Sequence, residues 1–246
     1  MISNRSNTHR LRIQLQHDSA EKTKERTAIL RREVYLSAAE ELTKANSHLA
    51  SLAQSDLAKT NAANGLQGFF AAAAKLQLVA EPKTALLVNQ LVASYGELLL
   101  RLIARLLPLQ NVRTDIAIND DQYNKTQNEV TRVLAEMARF NETAQVNDSA
   151  FNGLQRAFNA YQEQSQMYAA QRVTAWVKFK HLNGEFCRQL LTDMRIVGKQ
   201  QIPVLIEMRR DLGLTAELGA FHEQMDAQWG RISTQLDTML SDLPDD

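Results

Sequence analysis

Residues 84–109 read TALLVNQLVASYGELLLRLIARLLPL, in which seventeen of twenty-six side chains are apolar and no turn signal precedes Pro108. An uninterrupted run of this length is read as one helix. At 100° per residue, Lys83, Gln90, Ser94, Glu97, Arg101 and Arg105 fall within about 80° of one another, a narrow polar strip on an otherwise apolar cylinder. Such a helix needs partners on nearly every side. We therefore expect it at the centre of a helical bundle or in a self-association surface, with Glu97, Arg101 and Arg105 as the candidate ligand or interaction strip.

The rest of the chain supplies helical partners. With 246 residues, nine Gly and four Pro, it can bury a real core and has few breakers, which predicts long uninterrupted elements. From Arg5 to Leu57 there is neither Gly nor Pro, and one helix of some fifty residues is expected. Val34, Ala38, Leu42, Ala45, Leu49 and Leu52 give its second half a packed face. Between Gln16 and Ala28 the only apolar side chains are Ala20 and Ala28, so the first half projects as a charged, solvated helix. This divides the chain into an exposed basic helical extension at 1–30 and a single bundle domain at 31–246.

Asn61-Ala-Ala-Asn64-Gly65 is the first turn signal. A helix from about Leu66 to Ala80 follows, ended by Glu81-Pro82. Beyond Pro108, which is expected to kink or briefly break the central helix, Val112, Ile116, Asn119, Tyr123, Thr126, Val130, Val133, Met137 and Phe140 step by four and three. Asn119 and Thr126 are polar positions in that seam and read as register specification. After a cap at Asn147-Asp148-Ser149, an unslipped alternation of three and four runs from Phe151 through Ser165, Arg172, Phe186 and Asp193 to Ile196. It predicts one helix from about Ser149 to Leu212, stopped by Gly213. Thr215 would cap a last helix carrying Leu218, Phe221, Met225, Trp229, Ile232, Leu236 and Met239. The expected fold is all-α, an elongated bundle of about five helices, three of them long, with coiled-coil character.

The stretch LRIQLQHDSAEKTKERTAILRREVYLSAAEEL, Leu11 to Leu42, resembles the juxtamembrane segment of uncharacterised bacterial proteins that carry one transmembrane helix just upstream. The resemblance implies a cytoplasmic helical domain at the inner membrane and carries over no functional residue.

Formal charge is zero, but its distribution is uneven. Residues 1–35 hold eight Lys or Arg against four acids, and residues 211–246 hold one Arg against eight acids. A basic N-terminus beside anionic lipid is one consequence. Asn89, Glu97, Arg101 and Arg105 interrupt the one apolar run of near-spanning length, and MISNRSNTHRLRIQLQ has no apolar signal core. A soluble, unexported chain is expected.

Chemistry is sparse. No Glu-x-x-His occurs, and the pairs His17/Glu21 and His181/Glu185 have no second converging pair, so neither metal nor other cofactor is expected. Cys187, the single thiol, lies six residues from His181 on a different side of the helix. Phosphate-cradling and hydrolase motifs are missing. Arg31-Arg32 and Arg209-Arg210 are flanked by Glu33, Glu207 and Asp211, which marks mixed-charge surfaces rather than a nucleic-acid footprint. The expected function is a non-enzymatic interaction or scaffold protein, self-associating or binding another protein, at or near the cytoplasmic membrane face. The alternative is a sensor bundle with a small-molecule site near the polar strip and Pro108. A pore-forming protein that hides the Leu66 to Leu109 hairpin is the third reading.

Overall fold

The computed structural model describes residues 3–55, 61–143, 147–215 and 218–241, leaving aside the side chains of 3–18, 20, 218, 220–222, 240 and 241. Among them five helices follow in order: α1 (Ser3–Ser51), α2 (Gln67–Val79), α3 (Pro82–Glu142), α4 (Asp148–Asp211) and α5 (Leu218–Ser241). Single 3-10 turns at Leu52–Gln54 and Asn64–Leu66 lie between α1 and α2. No strand occurs among the described residues. The fold is an all-α bundle in which α1, α3 and α4 are long.

Two compact units divide the chain, Met1–Ile103 with Arg188–Asp237, and Ala104–Cys187 with Thr238–Asp246. In the first, α1, α2, α3 and α4 share one apolar core. Leu42, Phe69, Leu76, Val88, Leu91, Val204 and Met208 converge on a void of only about 20 Å³, room for about one water. Phe69 and Tyr95 pack with ring centroids 4.6 Å apart. The Ala71 to Ala74 run lets this happen, because Ala72 and Ala73 are buried without adding bulk. Trp229 and Met225 of α5 cover Gly198 of α4, and Asp226 pairs with Arg195 at 2.9 Å and Lys199 at 3.2 Å. The Arg195 guanidinium, then Lys199, holds the Asp226 carboxyl below the usual aspartate range.

In the second unit α3 and α4 run antiparallel. Phe140 stacks on Phe151 at 5.4 Å, Gln127 donates to Ser165, and Arg113 lies over the Phe179 ring at 5.2 Å. From Phe140 through Gln127 to Arg113 the partners descend α3 as those from Phe151 through Ser165 to Phe179 climb α4, in near-equal steps. Of the polar seam positions, Thr126 donates to the Gln122 carbonyl at 2.8 Å, and on α4 Arg172 lies over Tyr123 at 4.9 Å and beside Asp120 at 3.4 Å. The cost of Thr126 in the seam is thereby offset.

Several expectations are sharpened. Helix α3 continues unbroken through Pro108. The proline forfeits one backbone bond, but Leu102, Leu106, Leu109 and Val112 are buried on either side of it and hold the helix in place. Helix α4 likewise continues through Pro203. Its seam does not reach Ile196, which is exposed while Val197 is buried. A strict 3.5-residue repeat drifts by about 20° per heptad on a straight helix, and over the length of α4 that drift hands the buried position to the next residue. Gly213 has φ 70°; its N–H bonds to Arg210 O and that of Leu214 to Arg209 O, both at 2.9 Å, the paired bonds of a glycine stop. Asn147 caps α4 through Ala150 N–H at 3.1 Å. A cap at Thr215 would act on 216 and 217, outside the described residues.

The apolar expectation for α3 holds on one side only. Val88, Leu91, Tyr95, Leu98, Leu102, Leu106 and Leu109 are buried, whereas Leu86, Leu100 and Leu107 are exposed beside Glu97, Arg101 and Arg105. By length and composition α3 also holds an 18-residue window apolar enough to cross a membrane, with mean hydropathy 1.3 and 33% of it buried. A mean over that window tolerates two of the charges that break the run residue by residue.

The turn before α2 supplies a contrast between two glycines. A Cβ on Gly65 would fall 2.0 Å from the His48 ring, and one on Gly68 2.0 Å from the Glu41 carboxylate. His48 is tied to the Ala62 carbonyl at 2.8 Å, whereas the Glu41 carboxylate ends a flexible side chain held only by the exposed Lys44 of its own helix at 2.6 Å. Gly65→Ala is expected to destabilise by about 1–2 kcal/mol as that bond is lost. Gly68→Ala should be neutral or stabilise by up to about 1 kcal/mol, since alanine is the better helix former. Urea titrations of both variants check this.

Candidate functional site

Within the first unit, polar side chains gather at two places. The inner one is a closed triangle across α1, α3 and α4. Tyr95 is fully buried; its hydroxyl donates to Asn46 Oδ1. Gln201 Nε2 donates to Tyr95 Oη at 2.6 Å and to Asn46 Oδ1 at 3.2 Å. Burial pushes the Tyr95 phenol well above its ordinary range, although the bond donated by Gln201 pulls the other way. No member is charged, so the triangle holds helices together and offers no acid or base.

The outer one lies where α1 passes the end of α2 and the end of α4. Arg31 donates through Nε to Val79 O at 2.6 Å and pairs with Glu81 at 2.7 Å, satisfying the C-terminus of α2. Tyr35 is buried and donates to Asp211 Oδ2 at 2.7 Å, and the same oxygen accepts from Glu81 N–H at 3.4 Å. Burial first, then the Asp211 carboxylate, raises the Tyr35 phenol far above its usual range. Glu207 takes Lys83 at 2.7 Å and Arg210 as well. The Lys83 ammonium, then Arg210, keeps the Glu207 carboxyl below the usual glutamate range.

Over this cluster opens a groove of about 890 Å³ lined by Thr23, Lys24, Glu25, Thr27, Ala28, Ile29, Arg31, Arg32, Leu36, Asp211, Leu212 and Leu214. Ile29, Leu36 and Leu214 are exposed within it. Apolar walls with charged edges of both signs, Lys24 and Arg32 beside Glu25, suit an amphipathic partner. The sequence marked the two Arg-Arg runs only as separate mixed-charge surfaces. The structure brings Arg31 and Arg32 to the end of α4 that carries Arg210 and Asp211.

The candidate strip lies on the exposed side of α3. Glu97 and Arg101 belong to the first unit and Arg105 to the second. His181 and Glu185 meet at 3.7 Å on an exposed helix face; the side chain of His17 lies outside the described residues. No group of three His, Cys, Asp or Glu that could hold a metal occurs among the described residues. Cys187 is half-buried, and burial raises its thiol above the ordinary value, which keeps it protonated and poorly nucleophilic at neutral pH.

Comparison with known proteins gives no match to a protein-family model, to a curated protein or to a solved structure. What the chain does is therefore argued from its own surfaces.

Tyr95→Phe is expected to destabilise by about 1–3 kcal/mol, because it removes both bonds of the buried phenol and leaves the half-buried Asn46 and Gln201 with only the bond between them. Replacing all three at once, Tyr95→Phe with Asn46→Leu and Gln201→Leu, should recover most of that loss. Chemical denaturation of the single and triple variants checks the contrast.

Proposed function

We propose that the chain is a non-enzymatic helical interaction protein that holds a partner on exposed helix faces, at or near the cytoplasmic face of a membrane. The observation that carries this reading is the groove over Tyr35 and Asp211, where Ile29, Leu36 and Leu214 stand open beside Lys24, Arg31 and Arg32. Leaving three large apolar side chains in water beside a rigid ion-paired floor forgoes about 1.5–3 kcal/mol for each one that a partner would fully cover. The floor is pre-organised, since its charges already have partners, and binding need not reorder it. A partner segment with an apolar stripe and edges of mixed charge fits these walls.

The membrane placement draws on different features. The segment from Leu11 to Leu42 resembles a juxtamembrane segment, and residues 1–35 are basic on balance. Ser19 and residues 21–30 are exposed, so Lys22, Lys24 and Arg26 are open to an anionic surface.

A photo-reactive amino acid at Ile29, Leu36 or Leu214 is expected to give discrete protein adducts in the source cell, and one at the exposed Thr131 to give none. Uniform smears at all four positions would retire the groove as a docking surface. On liposomes with about 30% anionic lipid, the protein should float at low ionic strength and sediment at about 0.5 M salt. Equal flotation on neutral vesicles, or none on either, would remove the membrane placement and leave the groove untouched.

A further inference from the structure

The outward side of α3 in the first unit presents apolar and charged residues in one arc. Leu86 is 59% and Leu100 69% exposed, and Ala93, Glu97 and Arg101 are exposed with them. At 100° per residue these five positions lie within about 100° of one another. Leu86, Ala93 and Leu100 step by seven, the spacing that keeps apolar residues on one side of a paired helix. Glu97 and Arg101 stand four apart in the order that favours an ion pair along one helix. Among the described residues, neither has a hydrogen-bond or ion-pair partner.

We propose that this face is a twofold self-association surface, covered by the same face of a second copy of the chain running antiparallel. The contact rests on the interaction role proposed above and names one partner for it. A twofold axis beside Leu100 places that leucine against its own copy. Glu97 precedes Leu100 by three residues and Arg101 follows it by one. In the antiparallel copy the order reverses, so each Glu97 lies about 3 Å along the helix axis from the other copy's Arg101, well within reach of two long side chains. Two equivalent ion pairs then flank one apolar contact, the self-complementary pattern a twofold interface requires. Lipid is the poorer cover. Hydrocarbon would hide Leu86 and Leu100 but strand Glu97 and Arg101, which a second copy pairs.

Sedimentation velocity of the full chain, over about 1 to 100 μM, reads the association. A concentration-dependent dimer is expected. Glu97→Arg and Arg101→Glu should each weaken it about tenfold or more, because each swap sets like charges together at both symmetric positions. The double swap should restore it to within about threefold, since the pairs re-form with signs exchanged. Both substitutions are at exposed positions, and unchanged circular dichroism confirms that each of the three variants folds. A monomer at every concentration would overturn the contact, as would a dimer indifferent to the swaps. Wild-type protein that stays monomeric but floats on vesicles, and loses flotation with Leu100→Glu, would assign the face to lipid and overturn it too. A monomer that still gives discrete adducts at Ile29 and Leu214 would end the twofold contact alone; an intact, swap-sensitive dimer without adducts would end the groove alone.

Discussion

Tyr95 sets the register of the first unit. Long helices with few glycines and prolines can slide along one another at little cost in buried apolar area, because one leucine replaces another at each turn. A phenol with no exposure, bonded at once to Asn46 of α1 and Gln201 of α4, removes that freedom. Any slide breaks the bonds of a buried phenol and of two half-buried amides at once. The apolar core supplies the driving force for assembly, and the triangle selects one arrangement from the many that bury similar area.

With register fixed there, the ends of the helices fall where their charges meet. Arg31 reaches the last carbonyls of α2, Asp211 reaches both Tyr35 and the backbone of Glu81, and Glu207 gathers Lys83 and Arg210. Most of these pairs are partly exposed, so each adds little to stability alone. Their effect is geometric: a fixed polar floor lies beneath open apolar walls. Helix α3 shows the same division on a larger scale, with one side in the core and the other carrying leucines and charges in water.

Much of this fold could be read from the chain. Absence of breakers, the turn signal at Asn61 to Gly65 and spacings of three and four together located the helices, because burial repeats with the helical period over many turns. Gly213 and Asn147 marked ends because a positive φ and a side-chain cap are local requirements. Other features depend on distant neighbours. That Pro108 leaves α3 unbroken follows from leucines buried on either side of it, and that Ile196 turns outward follows from drift accumulated along α4. The strip of Glu97, Arg101 and Arg105 was legible as a face, but that leucines share it was not, since composition alone cannot say which apolar side of a helix is left uncovered. The groove was the least legible, because its two walls, around Ile29 to Leu36 and around Asp211 to Leu214, lie far apart in sequence and meet only through the lengths of α1 and α4.

The matched steps by which α3 descends and α4 climbs through the second unit have an evolutionary consequence. Because inward residues answer one another one for one, removing a heptad from each arm at corresponding positions leaves the remaining partners facing as before. Removing it from one arm alone shifts every later pair. Paired insertions and deletions are therefore the neutral moves open to this unit, and its length can vary among descendants while the Tyr95 layer stays fixed.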